Sequence, residues 1–141
     1  GGNFGRRGTI SVGILLLAAA IFGISLTPVA TLTNVLTKLP VLGEILGISI
    51  FLMIAGIAWS LININSLPMV VDMTSIERIG TFTGLYYLFS TLSAILGPIT
   101  NGLMIDLTGG NYNAVMSLAP ITLLIALVLI SGVKRGEAQT V

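Results

Sequence analysis

Four long stretches of this sequence carry no charged residue: Ile10 to Leu26, Ile45 to Val71, Leu85 to Ile105 and Val115 to Val133. A helix of about 20 apolar residues crosses the roughly 30 Å hydrocarbon layer of a bilayer, and each stretch is near that length. Backbone placed in hydrocarbon must satisfy its own hydrogen bonds, which leaves helices and closed β-barrels as the spanning structures. Alternation of apolar and polar residues with period two is missing along the chain, which argues against a barrel. The sequence therefore predicts an all-α membrane protein in which residues 1–141 form one unit with four transmembrane helices. The second stretch is long for a span, and it predicts a tilted helix or one that leaves the membrane near Pro68.

Composition narrows the chemistry. Hydrophobic residues make up 55% of the chain and charged residues 8%, against about 25% charged in soluble domains. Six Lys or Arg against five Asp or Glu give a net charge of +1, too small to hold a nucleic-acid backbone, so no nucleic-acid partner is expected. The chain has no His and no Cys, which removes imidazole bases, thiol nucleophiles, Cys–His zinc sites and disulfides together. Ser60 and Ser90 have no base to activate them, so an enzyme is not expected, and neither is a cofactor or a metal. The opening Gly1-Gly2-Asn3-Phe4-Gly5 and a basic turn run straight into the first span without a cleavage site. That reads as part of a longer protein.

The connectors hold nearly all the charge: Thr27 to Glu44, Asp72 to Gly80, and Asp106 to Asn111. Four spans put both ends of the chain on one side, grouping Arg6, Arg7, Arg78, Lys134 and Arg135 there and leaving Lys38 opposite. The positive-inside rule then assigns the two ends and the second connector to the cytoplasm, in a cell (plasma or inner) membrane.

Polarity within the spans is uneven. The first and fourth hold few polar groups and read as packing helices. The second carries Trp59, Ser60, Asn63, Asn65, Ser66 and Pro68, and the third Tyr86, Tyr87, Ser90, Thr91, Ser93, Gly97, Pro98, Thr100 and Asn101. An amide in hydrocarbon must find hydrogen-bond partners, so these residues are expected to face a neighbouring helix or a wet cavity. Trp59, Asn63 and Ser66 share one helical face, and Tyr87, Ser90, Ala94, Gly97 and Asn101 form a strip along the third span. Two readings stand: these groups staple helices together, or they line a path for a polar solute. Asn63 and Asn101 are the strongest candidates for the second, because an amide beside an aromatic ring is what a polyhydroxylated ligand needs. Pro68 and Pro98 each remove an intrahelical hydrogen bond and predict bends, either static or hinge-like. Glu44, Asp72 and Asp106 fall at span edges and no acid sits at mid-depth, which argues against a small four-helix multidrug exporter relying on a buried glutamate.

Several of these stretches also resemble a known family. Phe4-Gly5-Arg6-Arg7 resembles the tail of the cytoplasmic loop motif of the major facilitator superfamily, without its Asp-Arg part. Ala58-Trp59-Ser60-Leu61-Ile62-Asn63-Ile64-Asn65-Ser66-Leu67-Pro68-Met69-Val70-Val71-Asp72 is similar to the tenth helix of facilitators related to sucrose and glycoside proton symporters. Gly84-Leu85-Tyr86-Tyr87-Leu88-Phe89-Ser90, followed by Gly97-Pro98 and Gly102, resembles their eleventh.

On that alignment the four spans correspond to helices nine to twelve, the partial C-terminal domain of a transporter working by alternating access. The resemblance implies a small solute, a sugar or glycoside, moving with protons. It implies two further partners: the lipid bilayer and the missing N-terminal half of the same transporter. The tenth and eleventh helices would border the path. Trp59, Asn63, Ser90 and Asn101 are then the candidate substrate contacts, and Pro68, Tyr87 and Pro98 the gate or hinge. Arg6, Arg7, Asp72 and Arg78 are expected to form ion pairs on the cytoplasmic face. A membrane scaffold or assembly subunit, with its Asn and Gly strips binding partner helices, is the alternative of a different class.

Overall fold

The computed structural model describes residues 5–41 and 43–133. Phe4, Lys134 and Arg135, which the sequence places on the basic side, lie outside them. Four long helices dominate: α1 (Arg6–Leu26), α3 (Ile48–Asp72), α4 (Ile79–Leu107) and α5 (Asn113–Ser131). Each is long and apolar enough to cross a membrane, with mean hydropathies of 2.4, 1.8, 1.5 and 2.5 in that order, α4 being taken with the 3-10 turn before it. The two least apolar helices, α3 and α4, are those in which the sequence concentrates its amides and hydroxyls.

α1 is the pivot of the bundle, packing along both α3 and α5. Ile10 and Ile14 are buried against Met69 and Ile62 on one side and Leu123, Ala126, Leu127 and Ile130 on the other. The α5 residues recur with the spacing of one helical face. Small side chains let α1 and α3 approach closely. A Cβ added at Gly13 would meet the Ala58 carbonyl oxygen and the Ile62 side chain at 2.9 Å, and one at Gly23 would strike the Phe51 ring. With lipid tails as apolar as leucine, such close packing is what holds spans together.

α4 is held differently. None of its residues is buried, and it lies against α3 and α5 over short stretches only. α3 and α4 run unbroken through Pro68 and Pro98, so neither proline ends its helix, and α3 continues past Pro68 to Asp72.

The connector between α1 and α3 corrects the sequence reading. It holds a single helical turn, α2 (Val29–Leu32), and an antiparallel hairpin of β1 (Val35–Leu39) and β2 (Gly43–Leu46). The strands are too short to register as alternation along the chain. Their ends coincide with the turn residues Pro40 and Gly43, the latter at φ +74°, a backbone region that glycine enters without steric cost. β2 also takes in Ile45 and Leu46, the first residues of the second uncharged stretch, so that helix starts only at Ile48.

Candidate functional site

α3 and α4 are antiparallel neighbours joined by one cross-helix hydrogen bond, between the hydroxyls of Ser66 and Tyr86 at 2.8 Å. From this point the two helices present matching residues. One turn on lie Asn63 and Ser90, and a further turn on lie Trp59 and Ser93, following the 3.6-residue period. All four line a groove of about 750 Å³ between the helices, together with Ile62, Val70, Phe82, Leu85, Tyr86, Phe89 and Ala94. It runs from the end where α3 finishes at Asp72 to the middle of the bundle.

The groove is largely apolar with a few polar groups on its walls. Asn63 donates its side-chain N–H to the Trp59 carbonyl at 2.9 Å. That bond orients the amide and leaves its oxygen available as an acceptor. Trp59 lines the groove and is 60% exposed. Ser93 instead donates to the carbonyl of Phe89 at 2.8 Å. An aromatic face, an amide and hydroxyls around one concavity are the elements that recognise a ligand with both apolar faces and hydroxyl groups.

Of the residues singled out from the sequence, Trp59, Asn63 and Ser90 are thus brought together. Asn101 is not among them. It lines a second, smaller cleft of about 280 Å³ between α4 and α5, with Gly97, Thr100, Leu118, Ala119 and Thr122. The strip Tyr87, Ser90, Ala94, Gly97, Asn101 is therefore divided between two seams, because α3 borders the earlier turns of α4 and α5 the later ones. Tyr87 does not line the groove. It is 55% exposed and meets the Tyr86 ring edge to face, centroids 5.5 Å apart.

Sequence reasoning passed over Tyr86 as a site residue, and with it Phe82 and Phe89. The signal was present one position earlier: Phe82, Tyr86, Phe89, Ser90 and Ser93 follow the i, i+4, i+7, i+8, i+11 spacing of one helical face.

At the end of the groove nearest Asp72, two consecutive arginines tie α1 to both of its neighbours. Arg6 forms an ion pair with Asp72 at the last residue of α3, both side chains being partly shielded. Arg7 turns the other way and donates to the carbonyls of Ser131 and of Val133, the latter at 2.9 Å. Its partners are therefore main-chain oxygens at the end of α5, where unsatisfied carbonyls and the helix dipole both favour a cation. Arg78 is exposed and has no carboxylate partner among the described residues.

Neither the comparison with curated proteins nor that with solved structures finds a match for this chain. Among protein families, the Major Facilitator Superfamily matches residues 1–140. Four apolar helices of spanning length, a partly polar groove between two of them and this match over nearly the whole chain lead to one conclusion: the chain belongs to the Major Facilitator Superfamily, a family of membrane transporters rather than enzymes.

Proposed function

We propose that the chain forms helices nine to twelve of a facilitator that moves a small solute, a sugar or glycoside, by alternating access with proton coupling. The observation that carries the reading is the gathering of Trp59, Asn63 and Ser90 in one groove between α3 and α4. A pyranose ring presents an apolar face for stacking and hydroxyls for amide and serine contacts, which is the complement of that wall. Trp59 stacks on the ring, the Asn63 oxygen accepts from a hydroxyl, and Ser90 adds a further polar contact. Asn101 belongs to the α4/α5 seam and is assigned to helix packing there.

In this reading the remainder of the transporter closes the open side of the groove. Tyr87, Pro68 and Pro98 act where α3 and α4 flex between the two access states. The Arg6–Asp72 pair and the Arg7 cap steady the cytoplasmic face in one of those states. Coupling to protons uses an acid outside this chain or Asp72 at the span edge, since no carboxylate lies at mid-depth in the four helices.

The test is Asn63→Leu in the full-length transporter, with uptake of labelled mono- and disaccharides measured beside surface expression. The reading expects uptake to fall while expression holds; unchanged uptake removes Asn63 from the path.

A further inference from the structure

The β1–β2 hairpin is an unusual element for the water side of a membrane protein. Its exposed residues include Val35, Leu36, Leu39 and Val41, the last 92% exposed at the turn. Cross-strand partners in an antiparallel pair lie on the same side of the ribbon, and successive residues on opposite sides. Lys38 pairs with Glu44, and their side chains form an ion pair at 2.5 Å. Thr37 pairs with Ile45 and Leu39 with Gly43 on the other side. The register shift between Val35 and Thr37 then sets Val35 against Leu46, two residues from Glu44 and so on the side of the ion pair. One side thus carries the only charges of the hairpin's described residues, neutralised by each other, and the other is apolar apart from Thr37.

The base of the hairpin is held close to the ends of two spanning helices. Gly47 alone separates β2 from α3, and Thr27 and Pro28 alone separate α1 from α2. Its base is pinned: the Gly47 N–H donates to the Asn34 carbonyl at 2.9 Å, and Gly47 presses so closely on the Thr31 carbonyl that no side chain fits there. Leu26 at the end of α1 and Val29 at the start of α2 are likewise apolar and exposed, at 68% and 74%. The ribbon therefore springs from the ends of two helices of membrane-spanning length.

We propose that this hairpin is a membrane-seated element: Val41 and Leu39 rest in the interfacial layer of the leaflet from which α1 and α3 emerge, while the Lys38–Glu44 pair faces water. Amphipathic elements of this kind bury their apolar side about 5–10 Å into the boundary between headgroups and acyl chains. With its two charges cancelled, the hairpin inserts by apolar burial alone, so its seating is indifferent to anionic lipid and to salt.

The absence of cysteine from these residues permits a direct test. Val41→Cys and, separately, Lys38→Cys are introduced into the full-length protein with any other cysteines replaced. Each is labelled with an environment-sensitive fluorophore and reconstituted into phosphatidylcholine vesicles, with and without phosphatidylglycerol. The label at Val41 is expected to emit at shorter wavelength than that at Lys38. It is also expected to be quenched by nitroxides placed high on the acyl chain and shielded from aqueous iodide, equally in both lipid mixtures. Iodide quenching at Val41 equal to that at Lys38 overturns the proposal, placing the turn in water. Shielding from both iodide and lipid nitroxide also overturns it, because the turn is then covered by protein.

Discussion

The hydroxyls of Ser66 and Tyr86 meet at 2.8 Å across the seam between α3 and α4, the one side-chain hydrogen bond joining these two helices among the described residues. Because α4 buries no residue of its own, this bond fixes the register that sets Asn63 opposite Ser90. Interhelical hydrogen bonds in membranes average about 0.6 kcal/mol and reach about 1.7. Tyr86→Phe is expected to cost that much in unfolding free energy, and Ser66→Ala the same, with the double variant no worse than either. A double-mutant cycle in detergent, following thermal unfolding, reads the coupling directly.

Gly13 allows α1 to lie against α3 at Ala58, which is fully buried. Gly13→Leu must push the helices apart or force neighbouring side chains from their rotamers, with a cost of about 1–3 kcal/mol. A lower thermal midpoint in detergent is expected. Gly56→Leu, at a position open to its surroundings, should leave that midpoint nearly unchanged.

Arg7 caps α5 through two carbonyls. Arg7→Gln removes a cation from a helix C-terminus, worth about 0.3–1 kcal/mol, and is expected to loosen the end of α5. Arg7→Lys keeps the charge but not the fork that reaches two oxygens at once, and should fall between. Hydrogen exchange of the amides from Leu127 to Ser131 reports the difference, with faster exchange in Arg7→Gln.

Trp59→Phe keeps an aromatic face and Trp59→Ala removes it. If the ring stacks on solute, apparent affinity in uptake falls little in the first and by about two- to tenfold in the second, the loss expected for a stacking contact of about 0.5–1.5 kcal/mol. Equal effects of the two substitutions would assign Trp59 to packing instead.

Four spanning helices were legible in the sequence because uncharged runs of that length admit few other structures in a bilayer. Their ends were less so: α1 begins at Arg6 and α3 ends at Asp72, since the terminal turns are closed by charges that pair across helices. The hairpin was not legible, as its ordering depends on pairings such as Thr37 with Ile45 that no local periodicity announces. Within the site, Trp59 and Asn63 followed from helical spacing alone, while Tyr86 and Tyr87 are adjacent in sequence and only the rotation of α4 decides which faces α3. Asn101 stood apart because the neighbour of α4 changes along its length, from α3 beside Ser90 to α5 beside Asn101, a change that helical spacing does not show.

Access of water and solute to the α3/α4 groove is tested most directly by Ser90→Cys in the full-length transporter, with Leu88→Cys as the control on the exposed side of α4. The account predicts that a membrane-impermeant thiol reagent modifies Ser90→Cys from at least one side of the membrane, that transported sugar slows the reaction, and that Leu88→Cys does not react. A Ser90→Cys that stays unmodified from both sides, or reacts at a rate indifferent to sugar, would contradict it.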